Sequence, residues 1–111
     1  MFFPNHQGLY DVLAIIQACP RPFSVVMKKE VQDIPFLKQV FACMKAIAID
    51  REDIRQSMKV IQQVTKEVKS GRNYLIFAEG TRSKRGNKLG EFKGGSFKSA
   101  MKAQCPIIPV A

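Results

Sequence analysis

The feature that most constrains the fold is an amphipathic segment followed almost directly by a continuous apolar one. Over residues 53–69, apolar side chains recur at three- and four-residue steps: Ile54, Met58, Ile61, Val64 and Val68. This spacing predicts a helix with one buried face, ended by Gly71. Residues 74–78 then form an apolar run of strand length, as expected where both faces of a central parallel strand are covered.

The same alternation of short apolar runs and helical spacing extends through the chain. It predicts further strands over residues 23–27, 46–49 and 107–110, and further helices over residues 11–19, 35–45 and 96–103. We therefore expect an α/β fold, with alternating strands and helices around a largely parallel central sheet. The last predicted strand reaches the final residues, so we expect one partial domain over 1–111, incomplete at its termini.

Composition limits the chain to one small domain with a preference for anions. The 111 residues are 46% hydrophobic, enough for a single core, and the three cysteines lack metal-ligand spacing. No apolar run approaches the roughly 20 residues of a membrane-spanning helix. Eighteen Lys and Arg against nine Asp and Glu give a net charge of +9. Nucleic acid, an anionic membrane, an acidic carrier protein or a phosphorylated substrate would each suit that charge.

The only histidine, His6, precedes Asp11 by five positions. On one continuous helix their side chains would diverge by about 140°, so they can meet only if His6 lies in the turn before the helix. A carboxylate on one imidazole nitrogen would leave the other free to take a proton from a hydroxyl. The alternative is a polar loop histidine and an aspartate that caps the helix.

A second polar cluster follows the apolar run 74–78, at Glu79, Gly80, Thr81, Arg82 and Ser83. Ligands of open α/β sheets bind outside the carboxyl ends of the strands. Here the glycine permits close backbone approach, the hydroxyls can donate hydrogen bonds, and the guanidinium matches a phosphate. The cluster therefore predicts a phosphomonoester site, or else a surface ion pair between Glu79 and Arg82.

Positive charge also follows another strand and a glycine-rich segment. Arg51 comes directly after Asp50 at the end of strand 46–49, where it is either a second phosphate contact or a solvated residue beside a helix cap at Asp50 or Asp53. Residues 82–95 combine five basic residues with four glycines, which is typical of a mobile basic loop. Lys93 within it is either a further phosphate contact or a solvated lysine.

In this order, the segments resemble the glycerolipid acyltransferase family, and within it the lysophosphatidate acyltransferases. The blocks that match are Asn5, His6 and Asp11; Ile49-Asp50-Arg51; Phe77-Ala78-Glu79-Gly80-Thr81-Arg82-Ser83; and Ile107-Ile108-Pro109-Val110. The third block is the most specific. Two positions depart from the family pattern: Gly8 stands where serine is frequent, and Lys45 where glycine is common.

The resemblance implies a role for each motif residue. His6 would deprotonate the sn-2 hydroxyl of lysophosphatidic acid and Asp11 would orient it, so that the alkoxide attacks an acyl thioester and gives phosphatidic acid. The residues implied for the glycerol-phosphate site are Arg51, Glu79, Gly80, Thr81, Arg82 and Lys93. No cofactor or metal is implied, and the acyl donor would be acyl-CoA or acyl-carrier protein.

The resemblance also implies a place of action and leaves two rival functions. The protein would work at the cytoplasmic face of a membrane, on an anionic surface, either peripherally or anchored by segments outside this chain. A sister acyltransferase acting on glycerol-3-phosphate or another lysophospholipid would carry the same motifs. A nucleic-acid-binding module would suit the charge, but no nucleic-acid motif is present and His6 would be idle, so we expect no nucleic-acid partner.

Overall fold

A computed structural model describes residues 1–86 and 88–111, in which a parallel sheet lies between two pairs of helices. The strands are β1 (Phe2–Pro4), β2 (Ser24–Lys28), β3 (Ile47–Ile49), β4 (Tyr74–Leu75) and β5 (Ile108–Val110). The helices are α1 (Asp11–Ala18), α2 (Leu37–Cys43), α3 (Ile54–Lys69) and α4 (Lys98–Ala103), with 3₁₀ turns at Lys29–Val31 and Gly94–Phe97. The predicted α/β fold is confirmed.

The strand order across the sheet is β3-β2-β4-β1-β5, and every adjacent pair is parallel. From β1 the chain moves through β2 to β3 at one edge, and from β4 it moves to β5 at the other edge. β1 and β4 are therefore neighbours that the chain leaves in opposite directions. Such a switch in direction opens a crevice at the carboxyl ends of the two strands, where ligands of open α/β sheets bind.

Each face of the sheet has its own apolar core. The core under α1 and α2 is built from Val12, Phe23, Val25, Leu37, Phe41, Leu75 and Phe77. The core under α3 and α4 is built from Met1, Phe3, Val60, Val64, Tyr74, Ile76, Ala78 and Ala100. Tyr74 and Leu75 are both fully buried and belong to opposite cores, because successive side chains of a strand point to opposite faces. β4 is thus the central strand that its apolar run predicts.

The strands next to the switch point differ from the sequence prediction. β1 was not predicted, and β4 ends at Leu75 instead of residue 78. The Ile76 N–H donates to the Phe2 carbonyl at 3.0 Å, and the next bond of a parallel ladder would need an N–H that Pro4 lacks. Residues 76–80 nevertheless stay buried, so the chain leaves the ladder inside the protein and not at its surface.

Helix α2 is shorter at both ends than the predicted range of 35–45. Phe36 has φ 69° and Lys45 has φ 51°, and a side chain in this left-handed region is strained. Helical geometry is therefore confined to the residues between them. The positive φ of Lys45 carries a conformational cost that glycine would avoid.

Helix α3 is confirmed over nearly its whole predicted length. Asp53 caps it, because its carboxylate accepts from the Gln56 N–H at 3.0 Å. The buried stripe differs from the predicted one: Val60 and Val64 are buried, whereas Ile54 in the first turn is 78% exposed. α3 packs against α4 as well as the sheet, and the two contacts together select its buried face. None of the described helices combines the length and apolarity needed to cross a membrane.

Candidate active site

His6 and Asp11 meet at the end of β1. Helix α1 begins at Asp11, so His6 lies in the preceding turn, as the spacing requires. The His6 Nδ1 lies 2.9 Å from the Asp11 Oδ2, and the N–H groups of Gln7 and Gly8 donate to the same carboxylate at 2.7–3.0 Å. Burial acts to raise the pKa of Asp11, but the hydrogen bonds from His6, Gly8 and Gln7 outweigh it and hold that pKa below its usual range.

The carboxylate therefore folds back over the turn that holds His6, and it does not cap the helix. Tyr10 occupies the cap position without a side-chain hydrogen bond. Nδ1 of the imidazole is hydrogen-bonded to the Asp11 carboxylate, so Nε2 is the nitrogen able to accept a proton from a substrate. The pair has the arrangement of a general base and the residue that orients it.

The imidazole is also held from the side of β4. The His6 ring stacks on Phe77, with centroids 4.0 Å apart and planes inclined by 21°. The His6 carbonyl accepts from the Ser83 N–H at 2.8 Å. The residues that follow β4 therefore fix both the ring and the main chain of a residue that follows β1.

Arg51 reaches the same place from the end of β3. Its guanidinium Nη1 donates to the Gly80 carbonyl, and Gly80 has φ 70°. A Cβ on Gly80 would overlap the guanidinium, so only glycine fits this contact. Partial burial lowers the pKa of Arg51, which still remains charged at neutral pH. The arginine of the second block and the glycine of the third are thus brought together from different strands.

These groups open into a cavity of about 460 Å³ at the carboxyl edge of the sheet. Six of the predicted site residues line it: His6, Arg51, Gly80, Thr81, Arg82 and Lys93. Asp11 lies outside the lining, against His6. The rest of the lining is largely apolar and includes Leu9, Val12, Phe41, Ile49 and Val60. The cavity thus combines a cationic region with an apolar one.

Two lysines that the sequence reasoning did not select also line the cavity, Lys28 at the end of β2 and Lys98 at the start of α4. Lys28 directly follows the predicted strand 23–27, so its place after a strand end was an available signal. No acidic side chain occurs among the described residues that line the cavity. Five basic side chains without a lining acid give it a positive potential that attracts anions. Across the described chain, no group of His, Cys, Asp or Glu is arranged to hold a metal ion.

Glu79 lies apart from its neighbours in the third block. It is 2% exposed and is absent from the cavity lining. Its carboxyl oxygens accept from the main-chain N–H groups of His6 and Gly90 at 2.8 and 2.7 Å. The alternative of a surface ion pair with Arg82 is therefore wrong, because this carboxyl group is inside the protein and bonded to backbone.

The basic glycine segment 82–95 returns to the end of β4, where the Lys93 N–H donates to the Ala78 carbonyl at 2.9 Å. The segment includes position 87, which lies outside the described residues. The mobility of the segment 82–95 stays a prediction.

Asp50, next to Arg51, forms an ion pair with Lys29 at 2.8 Å, and the hydrogen bond from Lys29 lowers the pKa of Asp50.

Comparison with known proteins finds relatives that match nearly the whole chain. Residues 1–111 match the protein family described as Acyltransferase. A 1-acyl-sn-glycerol-3-phosphate acyltransferase of Borreliella burgdorferi is 36% identical over 106 residues, which are 96% of this chain and 42% of that protein. The enzyme of the same name from Escherichia coli K12 is 36% identical over 111 residues, or 99% of this chain and 45% of that protein. The chain thus spans less than half the length of these relatives.

A solved structure shares the fold. The crystal structure of the 1-acyl-sn-glycerophosphate acyltransferase PlsC from Thermotoga maritima aligns with a TM-score of 0.76 over 96% of this chain and 41% of that one, at 24% identity. Because the family match extends from the first residue to the last, this chain belongs to the acyltransferase family.

Proposed function

We propose that this chain carries the site that transfers a fatty acyl group from an acyl thioester to the sn-2 hydroxyl of lysophosphatidic acid. The observation that carries the proposal is that His6, backed by Asp11, opens into the same cavity as Arg51, Arg82 and Lys93. A proton acceptor beside clustered cations suits a substrate that has both a hydroxyl and a phosphate. The apolar part of the lining suits its acyl chain.

In the proposed reaction, His6 Nε2 takes the proton of the sn-2 hydroxyl as the alkoxide attacks the thioester carbonyl carbon. Asp11 keeps Nδ1 protonated and stabilises the imidazolium that forms. The tetrahedral intermediate then collapses, the C–S bond breaks, and the imidazolium returns its proton to the departing thiolate. The products are phosphatidic acid and a free thiol, and no acyl-enzyme is formed.

The phosphate of the substrate would be held by Arg51 and Arg82, which line the cavity from the segments that follow β3 and β4. Arg82 offers a planar pair of N–H donors that lysine cannot reproduce. Thr81 would bring a hydroxyl donor to the same group, and Gly80, whose N–H donates to the Phe77 carbonyl at 3.0 Å, would allow the close approach of the backbone. Lys93 would add charge, although its ammonium also pairs with the exposed Glu91 at 3.2 Å.

The experiment is an acyl-transfer assay of the intact protein with three acceptors: lysophosphatidic acid, glycerol-3-phosphate and an uncharged monoacylglycerol. Each acceptor is tested with acyl-CoA and with acylated acyl-carrier protein as the donor. We expect lysophosphatidic acid to be preferred, and His6→Ala to lower kcat by about 10²- to 10⁴-fold, as expected for loss of a general base. Preference for glycerol-3-phosphate would assign the site to a sister reaction. Wild-type turnover in a folded His6→Ala variant would overturn the mechanism.

The Arg82→Lys variant tests the phosphate site separately. It keeps the charge and removes the planar pair of donors, so the loss of a charge-assisted hydrogen bond of about 1.5–3 kcal/mol should lower kcat/KM for lysophosphatidic acid by about 10- to 150-fold. The KM of the acyl donor should stay unchanged. Equal weakening towards both substrates would remove Arg82 from the phosphate site.

We further propose that the active protein works on the anionic cytoplasmic face of a membrane. The net charge of +9 supports this, since each Lys or Arg near an anionic surface contributes about 1 kcal/mol of attraction. Co-sedimentation of the intact protein with vesicles should increase with the fraction of anionic lipid and decrease with salt. Binding that responds to neither would count against the proposal.

A further inference from the structure

The buried carboxyl group of Glu79 joins two segments that are far apart in the sequence. One oxygen accepts from the His6 N–H at 2.8 Å and the other from the Gly90 N–H at 2.7 Å. The side chain is therefore enclosed between the turn of the histidine and the glycine-rich segment. Its neighbours Gly80 and Arg82 line the cavity, whereas Glu79 does not.

The contact with Gly90 leaves no room for a side chain there. A Cβ on Gly90 would lie 2.6 Å from the Glu79 Oε2, although Gly90 itself is exposed to solvent. Solvent exposure alone would permit a side chain at position 90. The carboxyl group of Glu79 beneath it is what requires glycine. The close approach requires both residues: an acceptor at 79 and an uncovered N–H at 90.

The hydrogen bond between Glu79 and His6 holds the main chain of the proposed general base. The His6 N–H is held by Glu79 and its carbonyl by the Ser83 N–H at 2.8 Å, so the segment after β4 fixes both polar groups of one residue. The orientation of the imidazole relative to Asp11 and Phe77 depends on that placement. A displacement of about 1 Å at such a site can cost about 10²-fold in rate.

We infer that Glu79 is a positioning residue: it sets the main chain of His6 and ties the basic glycine segment to it, and it does not touch the substrate. The inference rests on the proposed function for the rate it would affect, but the positioning itself can be measured without any acyl transfer. It reassigns Glu79, which the resemblance places in the glycerol-phosphate site, to the support of the proposed general base.

The test compares Glu79→Gln with Gly90→Ala in the intact protein. An amide has one acceptor oxygen, so glutamine turns an NH₂ group towards one of the two N–H donors and breaks one contact. Gly90→Ala keeps the carboxyl group and disturbs only the contact with the glycine segment. Glu52→Gln, at an exposed acidic residue, is the matched control.

Two readouts separate positioning from substrate contact. The first is steady-state kinetics: Glu79→Gln should lower kcat by about 10²-fold with the KM for lysophosphatidic acid changed less than about threefold, and Gly90→Ala should lower kcat less. The second is the rate at which diethyl pyrocarbonate modifies the His6 ring, located by peptide mass spectrometry over a range of pH. That rate should change in Glu79→Gln and stay at the wild-type value in Glu52→Gln.

A higher KM for lysophosphatidic acid in Glu79→Gln, with kcat and His6 reactivity unchanged, would overturn the inference and restore Glu79 as a substrate contact. If Glu79→Gln does not fold, Glu79→Asp is tested in its place, because it keeps both carboxyl oxygens on a shorter side chain. Unchanged His6 reactivity and kcat in Glu79→Asp would overturn the inference. If the wild-type protein transfers no acyl group, the proposed function fails, and the reactivity of His6 still decides whether Glu79 positions it.

Discussion

Replacing Asp11 with asparagine would test how much of the site depends on one negative charge. Oδ2 of Asp11 receives three donors, from His6, Gln7 and Gly8, while Oδ1 receives only the Gly8 N–H at 3.0 Å. An asparagine would therefore place its oxygen at the Oδ2 position and its NH₂ group at the Oδ1 position. The imidazole would keep its partner and tautomer, and the change would remove the charge together with the weaker Gly8 contact to Oδ1.

The size of the effect follows from that geometry. Charge-assisted hydrogen bonds contribute about 1.5–3 kcal/mol, and a bond from the imidazolium to a neutral amide lies at the weaker end of that range, so the imidazolium loses up to about 1.5 kcal/mol of stabilisation from the bond itself. Coulomb attraction at about 4 Å and an effective dielectric constant of about 20 sets an upper figure of about 4 kcal/mol. Both groups are partly solvated, with side chains 20% and 25% exposed. We therefore expect kcat to fall by between about 10- and 10³-fold.

The assay is kcat for acyl transfer to lysophosphatidic acid, together with denaturant unfolding as a function of pH. The pKa of Asp11 lies below its ordinary value in the folded state, so its contribution to the free energy of unfolding is present above about pH 4 and is lost as pH falls through the folded pKa. Asp11→Asn should flatten that acid limb. Asp33→Asn, at an exposed position, should change neither quantity. A folded Asp11→Asn enzyme with kcat within twofold of wild type would show that Asp11 only braces the turn.

Three further variants test the fold around the site. Burial, and after it a hydrogen bond to Glu67, raises the pKa of Tyr74. Above about pH 10 the tyrosine ionises only in the unfolded chain, so the free energy of unfolding should fall by about 1.4 kcal/mol per pH unit. In denaturant titrations, Tyr74→Phe should abolish this loss, whereas Tyr10→Phe, at an exposed position, should not. Gly80→Ala combines φ 70° with a clash against a guanidinium and should cost about 1–3 kcal/mol by thermal unfolding, with weaker phosphate binding by calorimetry. Lys45→Gly should relieve the strain at φ 51° and raise stability by up to about 1 kcal/mol; a lower melting temperature would contradict this reasoning.

Local patterns were sufficient where one segment contains the whole signal. The apolar run 74–78 identified the central strand, because a strand covered on both faces has no polar alternation. The helical spacing identified α3 nearly to the residue, and the structure places its cap at Asp53, one of the two aspartates considered. The requirement that His6 precede its helix followed from helical geometry alone, and the structure confirms it.

Other features depended on groups that are distant in the chain. β1 is three residues long and too short for a periodicity, and only its pairing with β4 and β5 makes it a strand. The early end of β4 depends on a missing N–H in Pro4, more than 70 residues away, across the ladder. The buried face of α3 was partly mistaken because the contact with α4 helps to select it.

The sequence by itself determined the α/β class, the condition under which His6 can meet Asp11 and the residue types able to act on a hydroxyl beside a phosphate, because each depends on neighbouring residues or on one recognisable block. Only the tertiary structure decided which of these residues share a cavity. It places Arg51 and Arg82 on the lining, adds Lys28 and Lys98, and withdraws Glu79 into the interior. The reason is physical: the strand order joins the ends of β1, β3 and β4 at one edge, and whether a carboxyl group faces a ligand or a backbone N–H depends on which segment folds over it.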